Sequence, residues 1–442
     1  MKQALLISRS FPPVRHSGTI RMEAFARHLP ASNFTPMVLT ARTPAEFVGS
    51  TDRVIPESKR VEIDWSPTGG LFRRRLARFP VGLSIDRRRN RRTLATRSIE
   101  ACRERGARPD IVLASCQPGD TLFIGVKVAE YFQCPCVVDF RDPWSYWPMP
   151  LYPHWLDFQL ERREEHQVLA AATAITVTTK ASGQLLESEF GVPAHKIHQI
   201  HNGYEPSEFA QPEVFEPMAA DANRFHIVYA GEIGSSRPLG WKAQAARGLG
   251  FQYDPLQTNY TARSPRFFLE GLERFISEAP ERASAIRAWF IGDAKLASDP
   301  AVLRFRYPDV LRIVPRVPPR VAIGAIQQAS LLLMLQLETF LHGVPFCVAV
   351  PGKLYSYLAS GQRILAAVQP SENTELIERF QAGTCVSPTS PAEFASAIGN
   401  EYVRWKSGTS PPVVLRSIPE FERSCQTAQM AALFESLISS RS

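Results

Sequence analysis

The stretch at 351–361, P-G-K-L-Y-S-Y-L-A-S-G, sets a lysine where a helix can meet an anion. Pro351 and Gly352 make a turn that lets backbone approach a ligand. Leu354, Tyr357 and Leu358 then recur at the spacing of one apolar helix face. Gly361 stands where a glycine ends a helix. Lys353 therefore falls in the first turn, where the helix dipole disfavours a cation unless a negative group is bound there. A phosphate reverses that sign, because N–H groups at a helix start suit anions. The plain alternative is a surface lysine on an ordinary helix.

Three loops carry further chemistry. R-S-F-P-P-V-R-H-S-G at 9–18 offers small residues ahead of a helix, or is simply a structural turn. D-F-R-D-P-W at 139–144 puts two acids and an arginine directly after an apolar strand, which is costly unless they are paired or used. Either Asp139 bridges Arg141, or Asp139 or Asp142 meets sugar hydroxyls while Arg141 contacts an acceptor or phosphate. Y-A-G-E-I-G-S-S-R at 229–237 runs a strand into a Gly-rich loop. Arg237 and Arg263 are both candidates for a diphosphate, since arginine binds phosphate oxygens in pairs. His195, His198 and His201 alternate in direction along an extended segment, so they do not converge on a metal, and no metal site is expected. Neither a G-x-G-x-x-G nor a G-x-S-x-G motif is present.

The elements that position these loops alternate. Strands at 4–8, 37–40, 111–114, 136–140, 174–178 and 197–201 are separated by helical patterns at 20–29, 121–132, 157–172 and 180–190. This reads as a doubly wound α/β domain over residues 1–205, whose ligands lie beyond the C-terminal strand ends. A proline-marked linker follows at 206–224. A second α/β series at 225–416 has strands at 225–230, 288–292, 312–314, 331–335 and 364–367. Its helices fall at 267–277, 321–329, 353–360 and 372–380. The segment 234–263, with Trp241, Lys242, Arg247 and Tyr253, reads as an insertion at the mouth of the second sheet. A final helix lies within 417–442, with Met430, Leu433 and Leu437 on one face.

At 442 residues, with 44% hydrophobic and 21% charged side chains, the chain calls for two or three globular domains. Seven scattered cysteines show no disulfide or zinc framework and suit a reducing, cytoplasmic setting. No apolar run approaches the roughly 18 residues of a membrane span. The net charge of +8 is unevenly placed. Residues 1–205 hold 28 Lys and Arg against 21 Asp and Glu; the remainder holds 23 against 22. Between Arg73 and Arg97, ten arginines face one acid, Asp86. Such a run suits an anionic membrane surface or an acidic acceptor, or else forms a solvated basic helix. The scarcity of aromatics argues against nucleic acid.

Five motifs in this order resemble the GT-B glycosyltransferases, above all the retaining family four. They are F-P-P…S-G-x-x-R at 11–21, D-F-R-D-P-W at 139–144, H-N-G-Y at 201–204, Y-A-G-x-I at 229–233 and K-L-Y-S-Y-L-A-S-G at 353–361. The resemblance implies two Rossmann-like domains facing across a cleft, with the final helix crossing back to the first. It implies sugar transfer from a nucleoside-diphosphate sugar to a glycan or lipid-linked acceptor, in the manner of cell-surface polysaccharide synthesis. No cofactor or metal is implied, and the setting would be the cytoplasm or the inner membrane face. Ser17 and Gly18 would approach the donor from the first domain. Lys353, with Arg237 or Arg263, would neutralise the diphosphate and the leaving group. Gly231 and the backbone at Gly352 and Leu354 would hold phosphates or sugar. The sequence departs from the family in three places. The family's paired glutamates fall at Val348 and Ser356, leaving Ser356 for the ribose. A histidine common after the strand at 111–114 is replaced by Cys116-Gln117-Pro118. The insertion separates Gly231 from Arg263. The missing glutamates raise an alternative, a GT-B-fold binding or scaffold protein without catalysis; a sugar-nucleotide epimerase of the same fold is a third reading.

Overall fold

The structure is a computed structural model that describes residues 1–14, 17–43, 55–66, 82–148, 152–236, 252–409 and 414–441. The chain divides into two compact units. One comprises Met1–Gly203, Lys242–Pro255 and Glu420–Ser442; the other comprises Tyr204–Trp241 and Leu256–Pro419.

In the first unit, β1 (Lys2–Ile7), β2 (Phe34–Ala41), β3 (Arg60–Ile63), β4 (Ile111–Ser115), β5 (Cys136–Phe140), β6 (Ala174–Val177) and β7 (Ile197–Gln199) form one sheet. Its order is β3-β2-β1-β4-β5-β6-β7, and the pairings are parallel. Helices cover both faces of such a sheet, so its central strands read as unbroken apolar runs rather than alternating ones. Leu5 and Leu6 of β1, and Val112 and Leu113 of β4, are fully buried. The strand order reverses between β1 and β4, which opens a crevice beyond their C-terminal ends.

Around this sheet lie α1 (Ser17–His28), α2 (Gly82–Glu104), α3 (Gly119–Phe132), α4 (Trp155–Ala171) and α5 (Lys180–Phe190). Thr179 caps α5 by accepting from the Ser182 N–H, and Gly191 closes it in the left-handed region at φ 65°. The second unit carries β8 (Phe225–Ala230), β9 (Ile286–Ile291), β10 (Leu311–Val314), β11 (Leu331–Leu335), the small antiparallel strands β12 (Phe340–Leu341) and β13 (Val344–Pro345), β14 (Ile364–Ala367) and β15 (Gly383–Val386). Its six-stranded sheet runs β10-β9-β8-β11-β14-β15 and reverses between β8 and β11. Its main helices are α6 (Arg266–Ser277), α7 (Pro319–Gln328), α8 (Gly352–Ser360), α9 (Glu372–Arg379) and α10 (Pro391–Lys406). Last comes α11 (Arg423–Ser439). Its Met430, Ala431 and Phe434 enter the first unit's core beside Phe25, Leu29 and Phe34, and Phe34 meets Phe434 edge-on at 5.4 Å.

The two sheets agree with the doubly wound α/β expectation. Four differences have physical reasons. β3, β15 and α10 lie in stretches whose apolar periodicity is too short or too diluted to read. The proline-marked stretch 206–224 folds into the short helices Pro206–Ala210 and Glu216–Ala219, whose Phe209 and Met218 are buried. Residues 252–255 group with the first unit, where Tyr253 exchanges backbone hydrogen bonds with Tyr152 at 2.9 and 3.0 Å. The Arg73–Arg97 run is not uniformly solvated. Arg73, Arg74, Arg75 and Arg78 lie outside the described residues, and Arg91 of α2 is buried against α4, 2.5 Å from Glu161 and 2.6 Å from Asp120 on α3.

The same buried face of α4 gives a pH-dependent stability. The Glu165 carboxylate accepts the Ser145 N–H at 2.9 Å, and burial pushes its pKa up to about 7 from 4.5. The folded state therefore holds the proton more tightly than the unfolded chain. This contribution is fully present below pH 4.5 and is lost as pH rises through about 7. Glu165→Gln is expected to gain stability over wild type across that window by on the order of 3 kcal/mol. Urea unfolding of both proteins at a series of pH values checks it, and parallel curves would contradict it.

Candidate active site

The second unit builds a cationic site at the point where its strand order reverses. Tyr229 and Ala230 end β8, and Gly231 follows at φ +122°, a backbone state that side chains rarely adopt. A Cβ there would stand 3.0 Å from Lys353 Nζ. A Cβ added at Gly292, after the neighbouring β9, would stand 3.2 Å from Gly231 backbone. Close backbone approach is thus what these glycines provide. Helix α8 is fixed beneath this loop by Tyr357, fully buried, whose hydroxyl accepts the Ala230 N–H at 3.0 Å.

α8 turns Leu354, Tyr355, Tyr357 and Leu358 inward and leaves Gly352, Lys353 and Ser356 at least partly open. The Lys353 ammonium lies 3.7 Å from the centre of the Tyr229 ring. It is buried and has no hydrogen-bond acceptor among the described residues. Burial holds its pKa below the ordinary lysine value. Burial alone would raise the Tyr229 phenol, but Lys353 and Arg263 bring it below its ordinary value. Arg263 is held at the Gly-rich loop. It donates to the Glu232 carbonyl at 3.3 Å, and its own carbonyl accepts from Gly234 at 3.2 Å. The segment leading to it is pinned to the loop after β11, where Asn259 pairs with Glu338 through backbone and side chain, both at 2.8 Å.

Lys353, Arg263, Gly231, Gly352 and Ser356 thus share one end of the second unit. Leu354 is buried, and its N–H is spent on the Pro351 carbonyl at 2.9 Å. A Cβ added at Gly352 would meet nothing within 4 Å, so the helix start is open there. Arg237 lies outside the described residues. Of the two glutamate positions, Val348 is buried at 3% exposure and Ser356 is half-buried. Gly231→Ala is expected to cost about 1–3 kcal/mol through backbone strain. Because it also crowds Lys353, the donor KM is expected to rise by roughly tenfold (about 1.4 kcal/mol). Urea unfolding and initial rates check the two effects separately.

In the first unit the structure pairs the loop acids differently from the Asp139–Arg141 bridge weighed above. Asp139 is fully buried and joined to Arg21 of α1 by two bonds, at 2.9 and 3.1 Å. Ser115 and Thr176 donate to the same carboxylate at 2.8 Å each. Burial alone would raise the Asp139 pKa, but Arg21 and these hydroxyls hold it below the usual range. Asp139 therefore has no surface to offer an acceptor; it fixes the frame. Arg141 instead pairs with Asp142 at 2.6 Å, both partly exposed, and burial raises the Asp142 pKa. Ser17 and Gly18 open α1 at the end of the same crevice. Sequence reading missed two residues: Arg21, the last letter of S-G-x-x-R, and Tyr229, the first of Y-A-G.

Comparison with known proteins fits this geometry. Residues 19–208 match the family described as Glycosyltransferase Family 4. Among solved structures, sucrose-phosphate synthase from Thermosynechococcus elongatus superposes with a TM-score of 0.61 at 12% identity, covering 100% of both chains. α,α-Trehalose 6-phosphate synthase from Burkholderia multivorans gives 0.61 at 11% identity, covering 100% of this chain and 97% of its own. Anabaena HepE, solved with UDP and glucose, gives 0.54 at 14% identity, covering 100% and 98%. No curated protein sequence matches. The chain has the GT-B fold, and its residues 19–208 carry the signature of a glycosyltransferase family. More narrowly it is family-four-like, the matching signature lying in residues 19–208.

Proposed function

We propose that this chain moves a sugar, with retention of configuration, from a nucleoside-diphosphate sugar to a glycan or lipid-linked acceptor in cell-surface polysaccharide synthesis, acting in the cytoplasm. The observation that carries the reading is Lys353. A buried ammonium without an acceptor among the described residues, with Arg263 beside the same tyrosine, is a costly arrangement that a bound diphosphate would offset. The same two cations would stabilise the departing nucleoside diphosphate, supplying the positive charge that a divalent ion supplies elsewhere, so the reading needs no metal. HepE, whose crystals held UDP and glucose, supports a uridine nucleotide as the first donor to try. Arg141 and Asp142 are the acceptor contacts of the first unit; Asp142, with its raised pKa, is suited to hydrogen-bond a sugar hydroxyl.

Val348 and Ser356 favour one second reading, a nucleotide-binding protein without catalysis, because no carboxylate grips the ribose from these positions. A melting-temperature screen against UDP and GDP at millimolar concentration, followed by donor-consumption assays, tests both. A rise of a few degrees with turnover supports the transferase. A rise without turnover supports the binding protein. No rise with any nucleoside diphosphate removes the donor site altogether.

A further inference from the structure

Helices α2 and α4 lie side by side and run parallel. Ser84 bonds Asp157 at 2.5 Å, and seven residues on in each helix Arg91 meets Glu164 at 3.4 Å. Their N-terminal ends are therefore level. At these ends three large apolar side chains face outward: Ile85 is 57% exposed, Trp155 48% and Leu156 39%. Arg89 and Arg92, exposed one and two turns beyond Ile85, continue its stripe on α2. Arg163, exposed on α4, lies seven residues beyond Leu156 and so on its stripe.

The charge on this surface is set by what α4 conceals. Its Asp157, Glu161, Glu164 and Glu165 are all buried, facing Ser84, Arg88, Arg91, Trp144 and Ser145. A helix whose sequence carries four acids thus turns none of them outward, and around the apolar tip Arg89, Arg92 and Arg163 are exposed while Asp86, beside Ile85, is half-buried. Isolated exposed apolar residues need no explanation, but a tryptophan, a leucine and an isoleucine together, backed by arginines, form a patch that does.

We propose that the N-terminal ends of α2 and α4 dock on an anionic bilayer, with Ile85, Trp155 and Leu156 entering the headgroup boundary and Arg89, Arg92 and Arg163 meeting lipid phosphates. Tryptophan favours this interface because its ring is apolar and its N–H polar. Each arginine near an anionic leaflet adds attraction that falls away within a Debye length. The proposal is independent of the donor-site reading, since neither Lys353 nor its neighbours take part.

The full-length protein is sedimented with vesicles of phosphatidylglycerol and phosphatidylcholine, and with vesicles of phosphatidylcholine alone, at about 0.1 M salt. Binding is expected to the mixed vesicles, with a blue shift in tryptophan emission that is absent in W155F. R89E/R92E is expected to weaken binding by about tenfold or more, and I85S/W155S to weaken it comparably, with melting temperatures unchanged because the replaced side chains are exposed. Three outcomes would overturn the proposal. One is no sedimentation beyond the vesicle-free control. Another is equal binding by wild type and both double variants. The third is capture by a soluble acidic polysaccharide with no Trp155 response to vesicles, which would reassign the patch to a glycan.

Discussion

Replacing Lys353 with methionine is expected to slow sugar transfer by about 100- to 1,000-fold and at the same time leave the protein no less stable, or slightly more so. The two effects have one cause. The ammonium is buried over the Tyr229 ring, with no acceptor among the described residues, and burial already lowers its pKa. An uncompensated buried charge costs free energy in the empty protein, so an apolar chain of similar length should fit the same space at lower cost. A rise in melting temperature of about 1–3 °C is expected, corresponding to about 1–3 kcal/mol in a protein of this size. On the proposed function the sign reverses in the loaded protein, because the lost charge would face the leaving diphosphate. Loss of one such electrostatic contact slows turnover by about 100- to 1,000-fold. Calorimetry and donor turnover on the same preparation decide it. A variant that melts well below wild type would make Lys353 a packing residue, and one that turns over normally would remove it from the site.

Arg21→Met is expected to act in the opposite sense, costing about 3–5 kcal/mol of stability by leaving Asp139 charged and buried without its partner. The guanidinium also donates to the carbonyls of Ile200 at 2.9 Å and His201 at 2.6 Å, so the chain beyond β7 loses its tie to α1 as well. Removing both charges together, in Arg21→Met with Asp139→Leu, is expected to recover part of the loss, because a buried ion pair is worth less than the penalty for breaking it. Urea unfolding of the two single variants and the double variant measures the coupling. Strict additivity would mean that the pair does not act as a unit.

The sequence shows whatever is periodic and local. Continuous apolar runs announced β1, β8 and β11, and the i, i+3, i+4 pattern of Leu354, Tyr357 and Leu358 announced α8 with the correct inward face. Gly231 was legible as the start of a Gly-rich loop directly after a strand. Pairings across the chain were not. Asp139 meets Arg21 across 118 residues, and nothing near D-F-R-D-P-W distinguishes that partner from the adjacent Arg141. The arginines of α2 look like a solvated run because their acids are some 70 residues away on α4, as Arg91 and Glu161 show. The Lys353–Tyr229 stack was hidden for a similar reason: each motif was visible, but neither predicts that β8 and β11 are neighbours in the sheet. Propensity is read from adjacent residues, whereas these contacts are set by sheet order.

The return of α11 to the first sheet has a consequence for how the protein is made. Phe34, Leu29 and Phe25 are synthesised about 400 residues ahead of Met430 and Phe434, which complete their core. Tyr204–Pro419 contains the whole of the second unit, which can close while translation continues. The first unit must wait with an open apolar flank until the final helix arrives. A nascent chain stalled before residue 420 should therefore engage chaperones that bind exposed apolar surface, and release them once α11 clears the exit tunnel.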